Sequence, residues 1–202
     1  MSSKINKEIS YRGEVLRKLI HLFDSIIPLS LFFIDRQILI SVLFPLTVLF
    51  VLIDLLRHHN NFIKKTYLYF FGSITRKIEK EHNILTGASY YLIACLLIIS
   101  FFSNIKIIVS ALLIMSVSDS MAAIIGISFG RTSLINGKSL EGSLAFLLTS
   151  FIILVIVVPE LSLFVSLFIA FLITLVELLS FHQINDNLTI PICSALVINL
   201  LL

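Results

Sequence analysis

Charge is what this chain has least of. Lys, Arg, Asp and Glu make up 13% of its 202 residues, against about a quarter in a soluble domain. Hydrophobic residues make up 58%, and mean hydropathy is +1.06. That balance excludes a disordered chain, a coiled coil and an ordinary cytosolic globule, and it predicts an integral membrane protein. Tryptophan is absent and glycine is limited to seven, against 17 phenylalanines. The two cysteines, Cys95 and Cys193, both lie in apolar runs, which excludes a disulfide framework and a zinc site. The mixed-charge stretch 1–18 is not followed by a short apolar core with a small-residue cleavage site, so no removable signal peptide is expected. The histidines lack the His-Glu-x-x-His spacing of a metal site. There is no serine nucleophile elbow and no paired-cysteine motif, and no internal repeat is visible. The net charge of +3 is small, and no nucleic-acid partner is expected.

What is present is a series of apolar runs, at 16–34, 37–56, 84–102, 105–127, 142–158, 161–180 and 188–202. A helix needs about 20 residues to cross the hydrocarbon core, and most of these runs are close to that. They are continuous rather than alternating, which favours helices over a barrel. The expectation is an all-α, polytopic protein of about seven transmembrane helices, with residues 1–202 forming a single membrane-embedded domain. The first run is the weakest, because it holds Arg17, Lys18, His21 and Asp24; if it re-enters instead of crossing, the N-terminus moves to the other side. With the N-terminus cytoplasmic, 13 Lys and Arg fall in inside loops and only Arg36 and Lys106 fall outside, a strong positive-inside bias. The expected location is an inner or plasma membrane, crossed several times. The polar insertion 57–83 interleaves Phe62, Ile63, Tyr67, Leu68, Phe70, Phe71 and Ile74 with basic residues. That spacing suits an amphipathic helix on the inner surface; the plainer alternative is a positive-inside loop with a hydrophobic stripe.

The intramembrane acids are not scattered. Asp24, Asp54, Asp119 and Glu177 lie toward the inner ends of their segments, with Glu141 and Asp186 in inside loops and only Asp35 and Glu160 outside. Buried ionisable groups in membranes are costly and by default functional. Carboxylates together with phosphate oxygens hold Mg²⁺, and Lys and Arg neutralise the remaining charge, so a band of both at one level suits a polyphosphate site. Asp119 stands out, in the polar patch Ser116-Val117-Ser118-Asp119-Ser120; the alternative is a structural Asp paired with a neighbouring helix. Ala122, Gly126 and Gly130 then repeat every four positions, letting another backbone approach closely. In the loop 128–142, Gly137-Lys138-Ser139 resembles part of a P-loop, but Thr132 stands where its first Gly should be and no strand precedes it. A glycine-bearing turn before a helix can still offer N–H groups to phosphate. A plain helix start, with Ser139 as cap and Glu141 in the first turn, accounts equally for the loop taken alone.

Asp119-x-x-Ala122-Ala123-x-x-Gly126-x-x-x-Gly130-Arg131, followed by Gly137-Lys138-Ser139-Leu140-Glu141-Gly142-Ser143, resembles the signature of the CTP-dependent lipid-alcohol kinases, the family of dolichol kinase, phytol kinase and the yeast-type diacylglycerol kinase. Further blocks occur in the family's order: Glu14-x-x-Arg17-Lys18-x-x-His21, Arg76-x-x-Glu79 with Leu85-Thr86-Gly87-Ala88, and Glu177 with Asp186-Asn187-Leu188-Thr189-Ile190-Pro191. The resemblance implies transfer of the γ-phosphoryl of CTP to a membrane lipid alcohol (a polyprenol, phytol or diacylglycerol) with a divalent cation such as Mg²⁺. It places Arg17, Lys18, Arg76, Gly130, Arg131, Gly137, Lys138, Ser139 and Gly142 on the nucleotide phosphates. Asp119 is the expected cation ligand, joined by Glu177 or Asp186 or, from the band of inner-level acids rather than the matched blocks, by Asp54. Asp119 and Glu141 are the two candidate bases, and His21, Glu79 and Asn187 complete the matched positions. The central block is also similar to the CDP-diacylglycerol synthases, but those usually carry Ser-Pro before a Lys-Lys-Thr run where Asn136-Gly137-Lys138-Ser139 stands here. A CTP:phosphatidate cytidylyltransferase is therefore the second expectation. A small transporter is the third, disfavoured because the charges sit at one face and no repeat is present.

Overall fold

In a computed structural model, residues 11–75, 79–80, 84–179 and 185–202 are described, and they are nearly all helical. The helices are α1 (Tyr11–Phe23), α2 (Ile26–Ser30), α3 (Arg36–His59), α4 (Asn61–Phe71), α5 (Gly87–Phe101), α6 (Ile105–Phe129), α7 (Leu140–Val157), α8 (Leu163–Leu179) and α9 (Asp186–Leu201). Their starts reflect local chemistry. Asp35, Asn60, Thr86, Asn104, Ser139 and Asn185 each accept a hydrogen bond from a first-turn backbone N–H, satisfying donors that the helix itself leaves open.

Three helices, α3, α6 and α7, are long and apolar enough to cross a membrane; α5, α8 and α9 are shorter apolar helices. The run read as 16–34 does not form one helix. It divides at Asp24 and Ser25 into α1 and the five-residue α2, and Ser25 Oγ donates back to the Leu22 carbonyl at 2.6 Å. Between 57 and 83, the chain forms α4, none of whose residues is buried.

α6 is the central helix. Across its most apolar stretch 72% of residues are buried, against 17% for α3. Ile108, Val109, Ala111 and Leu112 of α6 are fully buried and share one hydrophobic core with Phe146 and Leu154 of α7, Ile169 and Ile173 of α8, Ile190 and Ala195 of α9, and Cys95 and Ile99 of α5. The outward faces carry Phe, Leu and Ile at high exposure, among them Phe44, Phe101, Leu148, Phe164 and Phe168. An apolar surface on that scale belongs in contact with lipid tails rather than water. At the end of the bundle away from Asp119, Lys106 pairs with Glu160 at 2.8 Å and holds that exposed carboxyl below the usual range through its hydrogen bond. Arg36 donates to the Ser100 carbonyl at 2.6 Å.

The small-residue repeat on α6 has a definite partner. Ala122 and Gly126 face the first turn of α7, where a Cβ on Gly142 would lie 2.8 Å from the Ala122 carbonyl oxygen and 3.3 Å from Gly126 Cα. Both are main-chain atoms and cannot swing aside. Gly142→Ala is therefore expected to force the two helices apart and to destabilise the protein by about 1–3 kcal/mol, the usual cost of overpacking. Thermal unfolding in detergent reads this directly; an unchanged midpoint would show that the helices separate freely at this point.

Candidate active site

One end of the bundle gathers the polar residues. Its floor is Asp119. α6 is regular through Leu113, widens to a π-turn over Ile114–Ser118, and resumes as α-helix at Asp119. Such π-turns inside α-helices occur frequently at functional sites. Ser116, Ser118 and Ser120 are buried around it.

Asp119 forms an ion pair with Lys18 of α1. Both are nearly enclosed, at 8% and 4% exposure. Ser120 Oγ donates to the Ser116 carbonyl at 2.7 Å in its own helix and lies 3.2 Å from the Lys18 carbonyl of α1, so α1 packs closely on α6 beside the ion pair. Arg17 and His21 lie within electrostatic range of the Asp119 carboxylate. Arg17 also pairs with Glu14 at 2.5 Å and lies within range of Glu79. His21 is buried, with Nδ1 3.4 Å from Asp24 Oδ2 and its ring edge-on to Tyr91.

The wall on the other side is the loop after α6. Leu134 N donates to the Lys138 carbonyl at 2.7 Å, and Leu140 N to the Thr132 carbonyl at 2.9 Å. Ser133 and Ser139 form an antiparallel bridge, so the loop is a miniature hairpin. Its turn needs positive φ at Asn136 (58°) and Gly137 (74°), a conformation that Asn and Gly adopt most readily. The tip docks on the C-terminus of α8. Asn136 Nδ2 donates to the Leu178 carbonyl at 3.1 Å; Lys138 Nζ donates to the Glu177 carbonyl and pairs with the Glu177 carboxylate at 2.6 Å. A cation and an amide thus cap carbonyls that α8 leaves open.

The helix start expected at Ser139 is present. Ser139 Oγ accepts from Gly142 N at 3.1 Å. Glu141 accepts from Thr132 N at 3.2 Å, and Arg131 is exposed. Gly130 and Gly126 pack against Ser139, so three glycines of the motif serve close contact between α6 and α7.

Three distant blocks converge on the remaining side. Glu79 Oε1 accepts from Gly87 N at 3.1 Å, and Asn187 Nδ2 donates to the Gly87 carbonyl at 2.8 Å. Glu79 and Asn187 are both buried. Asp186 lies in the first turn of α9, within electrostatic range of Glu177, as is Asp119. Arg76 lies outside the described residues.

Asp54 is placed differently. It is 2% exposed. One oxygen accepts from Thr86 N at 2.7 Å, Thr86 Oγ1 at 2.8 Å and Ser89 Oγ at 2.6 Å, while the other lies 3.1 Å from Arg57 Nε. The first oxygen ties the start of α5 to α3, and the second faces the Arg57 guanidinium. Thr86 and Ser89 carry this role, and a Thr-x-x-Ser start to an apolar run was its trace in the sequence. Among the described residues no group of three or more His, Cys, Asp or Glu is arranged to hold a metal. Asp119, Glu177 and Asp186 offer hard oxygen donors of the kind Mg²⁺ takes, but a cation here needs oxygens from a ligand to complete its shell.

No family model and no solved structure matches the chain. An uncharacterized protein of Rickettsia prowazekii is 34% identical over 185 residues, covering 89% of this chain and 90% of that one. An uncharacterized protein of Methanocaldococcus jannaschii is 29% identical, covering 92% and 93%. The CTP-dependent diacylglycerol kinase 1 of Saccharomyces cerevisiae is 30% identical over 139 residues, 66% of this chain and 47% of the yeast enzyme. This last likeness is distant and partial, and spans about half of the yeast protein. By a 34% identity that runs along nearly the whole of both chains, the chain belongs to the family of the Rickettsia prowazekii protein.

Proposed function

We propose that this chain is a CTP-dependent kinase that moves the γ-phosphoryl group of CTP to the hydroxyl of a membrane lipid alcohol at the cytoplasmic face. The observation that carries the reading is the convergence on one end of the bundle of Arg17, Lys18 and Asp119 with Lys138, Glu177 and Asp186. These positions are up to 169 residues apart in the chain. The partial likeness to the yeast kinase and the bias of Lys and Arg to one side add support.

In this reading the nucleotide phosphates lie among Arg17, Lys18, Arg131 and Lys138. Asp119, with Glu177 or Asp186, meets the Mg²⁺ that arrives with CTP and neutralises phosphate charge. The lipid enters from the side, its tail remaining in the bilayer. Its hydroxyl oxygen bonds to the γ-phosphorus, the bond to the β-phosphate oxygen breaks, and CDP leaves. The hydroxyl proton passes to a carboxylate. Glu141, half-exposed at the mouth, is better placed for that role than Asp119, which is already paired with Lys18. Phosphoryl transfer asks mainly for positioning and charge neutralisation, which such a ring of cations and acids can supply.

The test uses purified protein in lipid with Mg²⁺ and CTP labelled at the γ-phosphate. Phytol, a polyprenol and diacylglycerol are offered separately, with ATP as control donor. Label entering lipid from CTP is the expected result. Labelled pyrophosphate released on adding phosphatidate would replace the kinase by a cytidylyltransferase. Lys138→Ala is expected to lower turnover about 100-fold, the scale of a lost charge contact to the transferring group. Lys138→Ala turning over within a few-fold of the parent would limit Lys138 to capping α8.

A further inference from the structure

A second polar cluster lies apart from Asp119, where α3 gives way to α4. α3 ends in Arg57-His58-His59, Asn60 breaks the helix, and α4 leaves in a new direction. Arg57, His58, Lys64, Tyr67, Leu68 and Lys80 line one small pocket there, with no acidic residue among them. Arg57 is balanced by Asp54 at 3.1 Å, and its guanidinium lies 4.9 Å from the centre of the Tyr67 ring. Among the described residues Lys64 and Lys80 have no such balance. Lys64 is exposed, and Lys80 Nζ reaches only a carbonyl, that of Gly72, at 2.5 Å. His58 Nε2 is buried and has no hydrogen-bond partner among the described residues. A polar atom buried in that state has lost its solvation without a compensating bond, and an oxygen accepting from it would supply one.

The same corner carries an apolar face. On α4 Phe62 is 77% exposed, Tyr69 83% and Phe70 67%. Aromatics beside lysines on a short helix with no buried residue are the composition of a helix lying in the headgroup layer. Lysines clustered on such a helix attract anionic lipid.

We propose that this corner binds the phosphate of an anionic phospholipid headgroup, with Lys64, Lys80 and His58 on the phosphate oxygens and the α4 aromatics among the adjoining acyl chains. The pocket, about 10 Å³, has room for a single oxygen and not for a nucleotide, so the phosphate rests at its mouth with one oxygen inward, and the exposed aromatics favour a lipid over a free phosphate ion. The site does not depend on the kinase reading, because it requires neither CTP nor Asp119.

Native mass spectrometry of the detergent-solubilised full chain tests this, with phosphatidylglycerol as the probe, phosphatidylcholine as the neutral control and glycerol phosphate as the soluble competitor. Phosphatidylglycerol is expected to be retained over phosphatidylcholine. Lys64→Glu and Lys80→Gln should each weaken its retention about five-fold or more, the scale of one lysine at an anionic surface, leaving phosphatidylcholine unaffected. Equal retention of the two lipids would overturn the proposal. So would unchanged phosphatidylglycerol binding in Lys64→Glu, whose exposed side chain has no structural contact to lose. Displacement by glycerol phosphate at millimolar concentration would assign the pocket to free phosphates and remove the lipid.

Discussion

Asp119→Asn is expected to lower phosphoryl transfer by about two orders of magnitude or more, and to lower stability as well. The two losses have different origins and can be separated. Lys18 and Asp119 are both nearly buried, and removing one member of a buried pair leaves the other charge uncompensated, at a cost of about 3–5 kcal/mol. Asparagine keeps the shape and one oxygen to accept from Lys18 Nζ, which puts this substitution at the low end. The close packing of Ser120 on the Lys18 backbone does not depend on the carboxylate, so α1 is expected to stay docked. In Lys18→Met/Asp119→Leu no buried charge remains, and the thermal midpoint in detergent should return toward that of the parent, since apolar replacements of buried pairs are often neutral or better. Transfer of label from CTP should stay at the level of Asp119→Asn or below. Recovery of turnover along with stability would reduce the pair to a structural strut. A folded Asp119→Asn protein at full turnover would remove Asp119 from the chemistry.

That experiment is needed because the sequence displays the acids but not their partners. The apolar runs at 37–56, 84–102 and 105–127 become α3, α5 and α6 with ends moved by a few residues, since hydrophobicity and caps are local properties. The Ser139 cap and the close approach at Ala122 and Gly126 were legible for the same reason, whereas the part Gly142 takes in that contact was not. The division of the first run at Asp24 was foreshadowed by its charges, but its position depends on what α1 packs against. Lys18 and Asp119 are 101 positions apart, Lys138 and Glu177 39, Asp54 and Thr86 32. Which cation meets which carboxylate depends on the rotation and depth of each helix in the bundle, and no local pattern encodes that. The sequence therefore singles out Asp119 but assigns no partners, while the structure gives three of the acids different ones: Lys18 for Asp119, Lys138 for Glu177, and Arg57 with Thr86 and Ser89 for Asp54.

At Asp54 the difference in partners has a measurable consequence. Asp54→Ala removes the acceptor of three hydrogen bonds at 2.6–2.8 Å and the counter-charge of Arg57, which is 3% exposed. The stranded guanidinium alone costs about 3–5 kcal/mol, and each deserted buried donor adds about 1 kcal/mol or more. Among the described residues Arg57 keeps the Ile84 carbonyl at 3.1 Å and the Tyr67 ring. The sum approaches the entire stability of an ordinary domain, about 5–15 kcal/mol, so Asp54→Ala is expected to yield little folded protein. Asp54→Asn is the informative variant. It keeps an oxygen for Thr86 and Ser89 but loses the charge, and should fold with a lowered midpoint. If Asp54 is structural, the Mg²⁺ concentration for half-maximal transfer in Asp54→Asn matches the parent, because nothing at the phosphates has changed. If Asp54 were a ligand of the cation, that concentration would rise about ten-fold or more, the scale of a perturbed metal site, while the midpoint stayed near that of the parent. What separates Asp54 from Asp119 and Glu177 is that one of its oxygens already serves three hydrogen bonds between α3 and α5, and the Mg²⁺ titration of Asp54→Asn tests what that difference means.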